Sequence, residues 1–354
     1  MATRKHTTSE LRRHIISLGN NGKLMETGRF GTTAGDLRTS VQRLLDDTRS
    51  WDARRIMLFA HGGVVSEADA VSWVDNHLDF FMRQQIYPLC FVWHSDPWTT
   101  ITDTLHDELT RRTSAEKGLN IFDTVNRWVE RAIRNFEPVR TATWLKMKDK
   151  AIDATLQLDG GARLLARELS EQKAQGQLME IHLAGHSAGG VFHAPLTQLL
   201  SANGPVQTGL AKGELGLGLP IESVTLWAPG CTTAVFKDCY APAINSGAVK
   251  RFSLFTLTDK LEQDDAVPQL AYTQSILYLV SNGFEGQADT PILGMEKFVE
   301  ADAEVNGIFD GDTKRWIHAK SALSQSQNHT GFGDDPDTLK TTVRLIKNDI
   351  SSAR

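Results

Sequence analysis

A serine flanked by glycines stands between a strand-like segment and a helix-like segment, and this arrangement constrains the fold more than any other feature of the chain. Residues 178–184 are short, largely apolar and bounded by glycine, as a buried strand is. Apolar residues then recur at helical spacing over residues 191–200. The turn between them reads Gly185-His186-Ser187-Ala188-Gly189. A strand, a tight turn and a helix in this order predict one unit of an α/β sheet.

The same turn has the pattern Gly-x-Ser-x-Gly, which is typical of a nucleophilic serine. Gly185 and Gly189 allow the strand and the helix to meet in a sharp, strained turn that exposes the hydroxyl of Ser187. Such a hydroxyl attacks a carbonyl group only when a base takes its proton and nearby N–H groups stabilise the oxyanion. The alternative is an ordinary Gly-Ser turn without chemistry, so the partners of Ser187 have to be sought elsewhere in the chain.

A glycine pair after an earlier strand supplies candidate oxyanion donors. Arg55–Ala60 is predicted to be a buried strand, and it is followed by His61-Gly62-Gly63-Val64. Because functional groups gather at the carboxyl ends of parallel strands, we expect the N–H of Gly63 or Val64 to join that of Ala188. His61 and Gly62 would shape this loop. The alternative is a plain glycine turn between a strand and a helix.

These two motifs resemble those of the α/β-hydrolase superfamily, specifically its serine esterases and lipases. The resemblance rests on His-Gly-Gly after an early strand and on Gly-His-Ser-Ala-Gly, and it covers about residues 55–335. It implies an α/β-hydrolase fold, with a mainly parallel sheet, helices on both faces and a helical cap insertion. It also implies an acid and then a histidine after the serine, each in a loop that follows a late strand.

Several carboxylates are candidates for the acid. Asp259 comes directly after the strand-like run at residues 250–258, where it would emerge at the carboxyl edge of the sheet. A carboxylate there would accept the imidazole N–H and fix the tautomer that a base requires. Asp259 is the predicted acid, although it could instead cap the following helix. Three more carboxylates follow closely and compete for the role: Glu262, Asp264 and Asp265.

Two histidines follow Asp259, and one of them is the predicted base. His318 lies beside Trp316 in a strand-like run at residues 314–320, where packing or exposure on a strand explains it. His329 lies in a polar, glycine-rich loop before the last predicted helix, at residues 338–346. The resemblance places the base of the family in such a loop, and it therefore implies His329 as the base and Ser187 as the nucleophile.

Other classes of function find little support in the sequence. His182 and His186 straddle a strand and a turn, which is not the geometry of shared zinc ligation, and no phosphate-binding or dinucleotide motif occurs. We therefore expect no metal and no cofactor. The formal net charge of −5 and the lack of a long basic run give no reason to expect nucleic acid. With three cysteines, no signal-peptide pattern and no membrane-spanning run, the expected location is cytoplasmic.

The chain of 354 residues is long enough for one catalytic domain with an insertion. We expect an N-terminal extension with a mobile lead and a helix at residues 1–50, and an α/β-hydrolase core at 51–95 and 159–354. Residues 96–158 have helical apolar spacing and no strand of comparable length, and they are expected to form a cap. Its tryptophans would line a substrate pocket or simply belong to the core: Trp98, Trp128 and Trp144.

The expected function is that of a serine hydrolase that cleaves small carboxylic esters through a Ser187-His329-Asp259 triad and an acyl-enzyme. The same machinery would serve a thioesterase, an amidase or an acyltransferase. A protein that keeps the fold for interaction without turnover is the alternative from a different class. The sequence leaves the natural substrate and the oligomeric state open.

Overall fold

A parallel sheet forms the centre of the molecule. The computed structural model describes residues 6–63, 65–93, 121–135, 137, 141–268 and 272–350. The strands in these residues are β1 Ile15–Leu18, β2 Arg55–Ala60, β3 Ile86–Trp93, β4 Glu180–His186, β5 Asn203–Pro205, β6 Leu215–Leu217, β7 Ile221–Trp227, β8 Phe252–Leu257 and β9 Lys314–Ala319. Seven of these strands pair in the order β1-β3-β2-β4-β7-β8-β9, all of them parallel, while β5 and β6 form a small antiparallel pair.

Helices flank the sheet. Those in the described residues are α1 Thr8–Leu11, α2 Ala34–Asp47, α3 Glu67–Arg83, α4 Ile121–Asn135, α5 Lys146–Leu156, α6 Gly161–Ala174, α7 Gly189–Ser201, α8 Thr233–Val235, α9 Ala241–Asn245, α10 Asp259–Asp264, α11 Ile276–Leu279, α12 Glu296–Ala301, α13 Ala303–Gly307 and α14 Pro336–Lys347. Single turns of π-helix occur at Thr141–Leu145, Phe236–Tyr240 and Val280–Phe284, and 3-10 turns at Ile308–Asp310 and His329–Gly333. The predicted class, an α/β fold with a mainly parallel sheet, is confirmed.

The central strands are buried on both faces, which is why they appear in the sequence as continuous apolar runs. The prediction of β2 is confirmed with the same bounds, and β4 and α7 lie within two residues of the expected segments. Helix starts are also local in origin. Thr33 and Asp36 form a capping box at the start of α2, and Ser66 caps α3 by accepting a hydrogen bond from the N–H of Asp69.

The segment expected to be an N-terminal extension contributes a strand to the central sheet, and the first residues of the expected mobile lead, 1–5, lie outside the described residues. Ile15–Leu18 forms an edge strand, β1, that pairs in parallel with β3. His14 adds a hydrogen bond between its Nδ1 and the carbonyl of Pro88, at 2.8 Å. All four residues of β1 are buried, so their packing in the sheet is favourable. A run of four residues is too short for its periodicity to reveal a strand in the sequence.

The described part of the expected cap is helical. It comprises α4, the π-helical turn Thr141–Leu145 and α5, and α4 packs on the turn Val280–Phe284. Trp128 is partly buried against the core and Trp144 is buried, whereas Trp98 lies outside the described residues. None of the helices in the described part of the chain has the length and apolar character that crossing a membrane would require.

Candidate active site

Ser187 occupies a strained turn at the carboxyl end of β4, in the middle of the sheet. Its φ is +52°, in the left-handed region that costs a residue with a side chain about 1 kcal/mol or more. Hydrogen bonds hold the turn: the N–H of Ser187 donates to the carbonyl of Trp227 at 2.9 Å. The carbonyl of Ser187 accepts from the N–H groups of Gly190 and Gly230, at 2.9 and 2.8 Å. The neighbouring strand β7 and its loop therefore maintain this conformation.

The two glycines of the motif are required by close packing. A Cβ atom on Gly189 would lie 2.2 Å from the carbonyl oxygen of Ala60, and one on Gly185 would lie 2.9 Å from the carbonyl carbon of Gly189. Any side chain at either position would push β2, β4 and α7 apart. Gly185 and Gly189 thus support Ser187 by letting the first turn of α7 approach the strands.

The loop after β2 lies directly against the serine turn. A Cβ atom on Gly62 would be 3.3 Å from Cβ of Ser187, and one on Gly63 would be 3.2 Å from Cβ of Ala188. Among the described residues, the N–H groups of Gly63 and Ala188 donate to no protein acceptor. Unpaired N–H groups of this kind are what an oxyanion hole requires. Val64, the alternative donor, lies outside the described residues.

His61 orders this loop. Its Nδ1 lies 2.7 Å from the carbonyl oxygen of Gly62, and its Nε2 accepts the backbone N–H of Trp93 at 3.3 Å. Because burial lowers the pKa of His61 to about 4, the ring is neutral near pH 7. A neutral ring has one donor and one acceptor, which matches these two contacts. His61 therefore links the glycine loop to the end of β3.

His329 is held through its own peptide groups, which leaves its ring free. The N–H of His329 donates to Oδ2 of Asp265 at 2.6 Å, and its carbonyl accepts from Nε2 of His186 at 2.8 Å. Trp73 adds a hydrogen bond from Nε1 to the carbonyl of Gly333, at 2.8 Å. The side chain of His329 is 2% exposed, and within the described chain neither ring nitrogen has a hydrogen-bond partner. A buried imidazole with two unpartnered nitrogens is unusual unless a ligand uses it.

The rings of His329 and His186 lie next to each other, with centroids 5.0 Å apart. Burial, together with neighbouring His186, holds the pKa of His329 well below the usual range. Burial also lowers the pKa of His186 to about 4. Both rings are therefore neutral near pH 7, and a neutral imidazole is the form that accepts a proton.

No hydrogen bond joins Ser187 to the ring of His329 in this structure. The two residues are linked through His186, which precedes the serine and binds the carbonyl of His329. Hydrogen bonds between catalytic groups are often long without substrate and tighten when substrate binds. The arrangement therefore brings the predicted nucleophile and the predicted base to one end of the sheet, without their direct contact.

The predicted acid, Asp259, faces other partners. It is the first residue of α10, which Thr258 caps, so Asp259 is not itself the cap. Its carboxylate accepts hydrogen bonds from the hydroxyl of Tyr278 and from Nε2 of Gln263, both at 2.6 Å. The structure shows no contact between Asp259 and His329 within the described residues.

Asp265 is the carboxylate that contacts residue 329. Burial raises the pKa of Asp265, and the hydrogen bond from the N–H of His329 opposes that rise. The remaining candidates lie elsewhere: Asp264 pairs with Lys260 on the surface, at 2.8 Å. Glu262 is fully buried against the hydroxyl of Ser275, and burial raises its pKa to about 8. Among the candidates after β8, Asp265 alone contacts His329.

The competing histidine, His318, lies on β9 and has a structural explanation. Its Nδ1 is 2.9 Å from Oε1 of Glu296, its ring stacks near Trp316, and its side chain is 40% exposed. In the described part of the chain, no group of three or more histidine, cysteine, aspartate and glutamate side chains is arranged to hold a metal ion. His182 instead approaches Oγ of Ser223, at 2.8 Å.

Two histidines, His329 and His6, should become protonated at clearly different pH values. Burial keeps His329 neutral, whereas in His6 the hydrogen bonds to Asp75 and Asp79 outweigh burial and raise the pKa. On lowering the pH, we therefore expect His6 to protonate above pH 6.5 and His329 to stay neutral below it. Titration of the imidazole resonances by NMR measures both. A higher midpoint for His329 than for His6 would contradict the buried geometry.

Comparison with known proteins finds two solved structures of low similarity. No protein-family model matches the chain, and no curated protein matches its sequence. Among solved structures, TT1662 from Thermus thermophilus is similar with a TM-score of 0.34 and 12% identity, over 84% of this chain and 90% of that chain. An uncharacterized protein from Pseudomonas aeruginosa is similar with a TM-score of 0.26 and 11% identity, over 82% of this chain and 44% of that chain. We draw no functional argument from either similarity.

Proposed function

We propose that the protein is a serine hydrolase of the α/β-hydrolase type that cleaves carboxylic esters. One observation carries the proposal: the strained Ser187 turn lies against two free N–H groups and at the same end of the sheet as a buried, unpartnered imidazole. A purely structural turn would have no need of the unpartnered ring of His329, since leaving a polar group unsatisfied costs about 1–3 kcal/mol.

In the proposed reaction, Oγ of Ser187 attacks the carbonyl carbon of the ester while His329 takes the serine proton. The N–H groups of Gly63 and Ala188 stabilise the negative charge on the former carbonyl oxygen. The C–O bond to the alcohol then breaks, and the alcohol leaves with the proton from His329. Water, activated by the same ring, attacks the acyl-enzyme, releases the acid and restores Ser187.

We assign the acid of the triad to Asp265 instead of Asp259. Asp265 already accepts the backbone N–H of His329, and Nδ1 of a histidine lies close to its own backbone nitrogen. The proposal requires a rotation of the His329 side chain that brings Nδ1 to a carboxylate oxygen of Asp265. The carboxylate of Asp259 is engaged by Tyr278 and Gln263, and reaching His329 would break both hydrogen bonds.

Labelling with a fluorophosphonate tests the proposal, because this reagent reacts with an activated serine. We expect stoichiometric labelling of Ser187, located by peptide mass spectrometry, and none in Ser187→Ala. A panel of p-nitrophenyl esters, thioesters and anilides then identifies the reaction type. A folded protein that neither reacts nor hydrolyses any of these compounds would instead be an interaction protein with this fold.

A further inference from the structure

Two apolar side chains from the helical segment before β4 reach the turns on either side of Ser187. A Cβ atom on Gly63 would lie 1.8 Å from Sδ of Met147, so this sulfur rests on the glycine beside the serine. A Cβ atom on Gly230 would lie 3.2 Å from Cη2 of Trp144. Gly230 is the residue whose N–H donates to the carbonyl of Ser187. Met147 and Trp144 therefore form a wall over the serine turn.

This wall is apolar and closely packed. Met147 is 5% exposed and Trp144 is 8% exposed, and Ser187 itself is only 8% exposed. The surfaces that face the glycine turns are a thioether and the benzo edge of an indole, which offer neither a charge nor a strong hydrogen bond. A group that lies between this wall and Ser187 must therefore be small and apolar.

Hydrogen bonds and an ion pair to Glu285 hold the wall in place. Nε1 of Trp144 donates to Oε1 of Glu285 at 2.8 Å. Lys148, one residue after Met147, donates to both carboxylate oxygens of Glu285, at 2.7 and 2.8 Å. Because Lys148 and Glu285 are both largely buried, this ion pair is shielded from solvent and resists displacement. The ring of Phe284 also stacks near Trp144, with centroids 6.1 Å apart.

We propose that Met147 and Trp144 restrict the substrate to esters with short, apolar acyl groups. The inference rests on the proposed function and specifies the substrate class of the same site. An acyl carbon bound to Ser187, with its oxygen at the N–H groups of Gly63 and Ala188, has the wall directly beside it. Each further methylene of the acyl chain then has to displace buried Met147 or Trp144, and Glu285 holds Trp144 in place.

Hydrolysis of p-nitrophenyl butyrate and octanoate tests the inference. We expect kcat/KM for butyrate to exceed that for octanoate by at least about 100-fold, because the octanoyl chain is about four methylenes longer and each methylene that a tight pocket rejects costs about tenfold or more. Met147→Ala should reduce this ratio at least about tenfold, through faster hydrolysis of octanoate. Met82→Ala is the matched control, because Met82 is a partly buried methionine on α3 outside the wall. This control should leave the ratio unchanged.

A second pair of measurements keeps the test decisive if Met147→Ala does not fold. Trp144→Phe shortens the other half of the wall and should shift the ratio in the same direction. Rates of labelling by ethyl and octyl fluorophosphonates report on chain length without turnover. Reaction of Ser187 with unchanged ratios in both variants, or a wild-type preference for octanoate, would overturn the inference alone. Failure of Ser187 to react with either reagent would overturn the proposed function and the inference together.

Discussion

Replacement of Ser187 or of His329 by alanine should each lower kcat for a carboxylic ester by about 10⁴ to 10⁶. The physical reason is that the two groups act as one unit: the hydroxyl is not nucleophilic without a base, and the base has no proton to transfer without the hydroxyl. The double variant should therefore be scarcely slower than either single variant. Steady-state kinetics measure the rates, and circular dichroism checks that each variant is folded.

The control for this prediction is His318→Ala. His318 is the other histidine after β8, it is half-exposed, and it contacts Glu296 away from the serine turn. We expect a change in kcat of less than about tenfold, as for the loss of a partly exposed side-chain contact. Losses from Ser187→Ala and His329→Ala that multiply in the double variant would contradict their action as a pair.

Asp265→Asn should lower kcat by about 10³ to 10⁴, whereas Asp259→Asn should cost less than about tenfold. An amide at position 265 keeps an oxygen that accepts the N–H of His329, so the turn should remain in place. The amide cannot offset the positive charge that the ring gains during the reaction, and its NH₂ group favours the wrong tautomer. At position 259 the substitution weakens only the contacts with Tyr278 and Gln263.

The same kinetic assay with both variants decides between the two carboxylates. The reverse result, an active Asp265→Asn and an inactive Asp259→Asn, would return the acid to the residue that the sequence predicts. It would also require a rearrangement of α10 that frees Asp259 from Tyr278. In either case the assignment of Ser187 and His329 would stand, because their variants test it separately.

Local patterns in the sequence predicted the elements that position Ser187. The run before the serine, the glycine turn and the helical spacing after it correspond to β4, the strained turn and α7. The strand before Gly62 was predicted with its bounds, since a buried parallel strand is apolar throughout. These features depend on a few neighbouring residues, so one sequence is enough to find them.

Features that depend on distant contacts could not be predicted in this way. The sequence predicts where β8 ends. The path of the chain after β8 depends instead on the contacts of Asp259 with Tyr278 and of Glu262 with Ser275. Which carboxylate meets His329 follows from those contacts. The hydrogen bond from His186 to His329 spans 143 positions in the sequence, and no local pattern encodes it. The polar, glycine-rich loop around His329 indicates a candidate base but does not indicate its partners.

The central place of β4 has a consequence for folding. Strands from the first part of the chain, β1 to β3, lie on one side of β4, and strands from the last part, β7 to β9, lie on the other. Gly62 and Gly63 come from the first group, and Asp265 and His329 follow strands of the second. Pairings between segments so distant in the chain form slowly, because loop closure must precede them. In a folding intermediate, only one of these two groups of strands would be paired with β4. Such an intermediate would have much of the native secondary structure but only half of the site. Recovery of hydrolysis would therefore report the final assembly of the sheet.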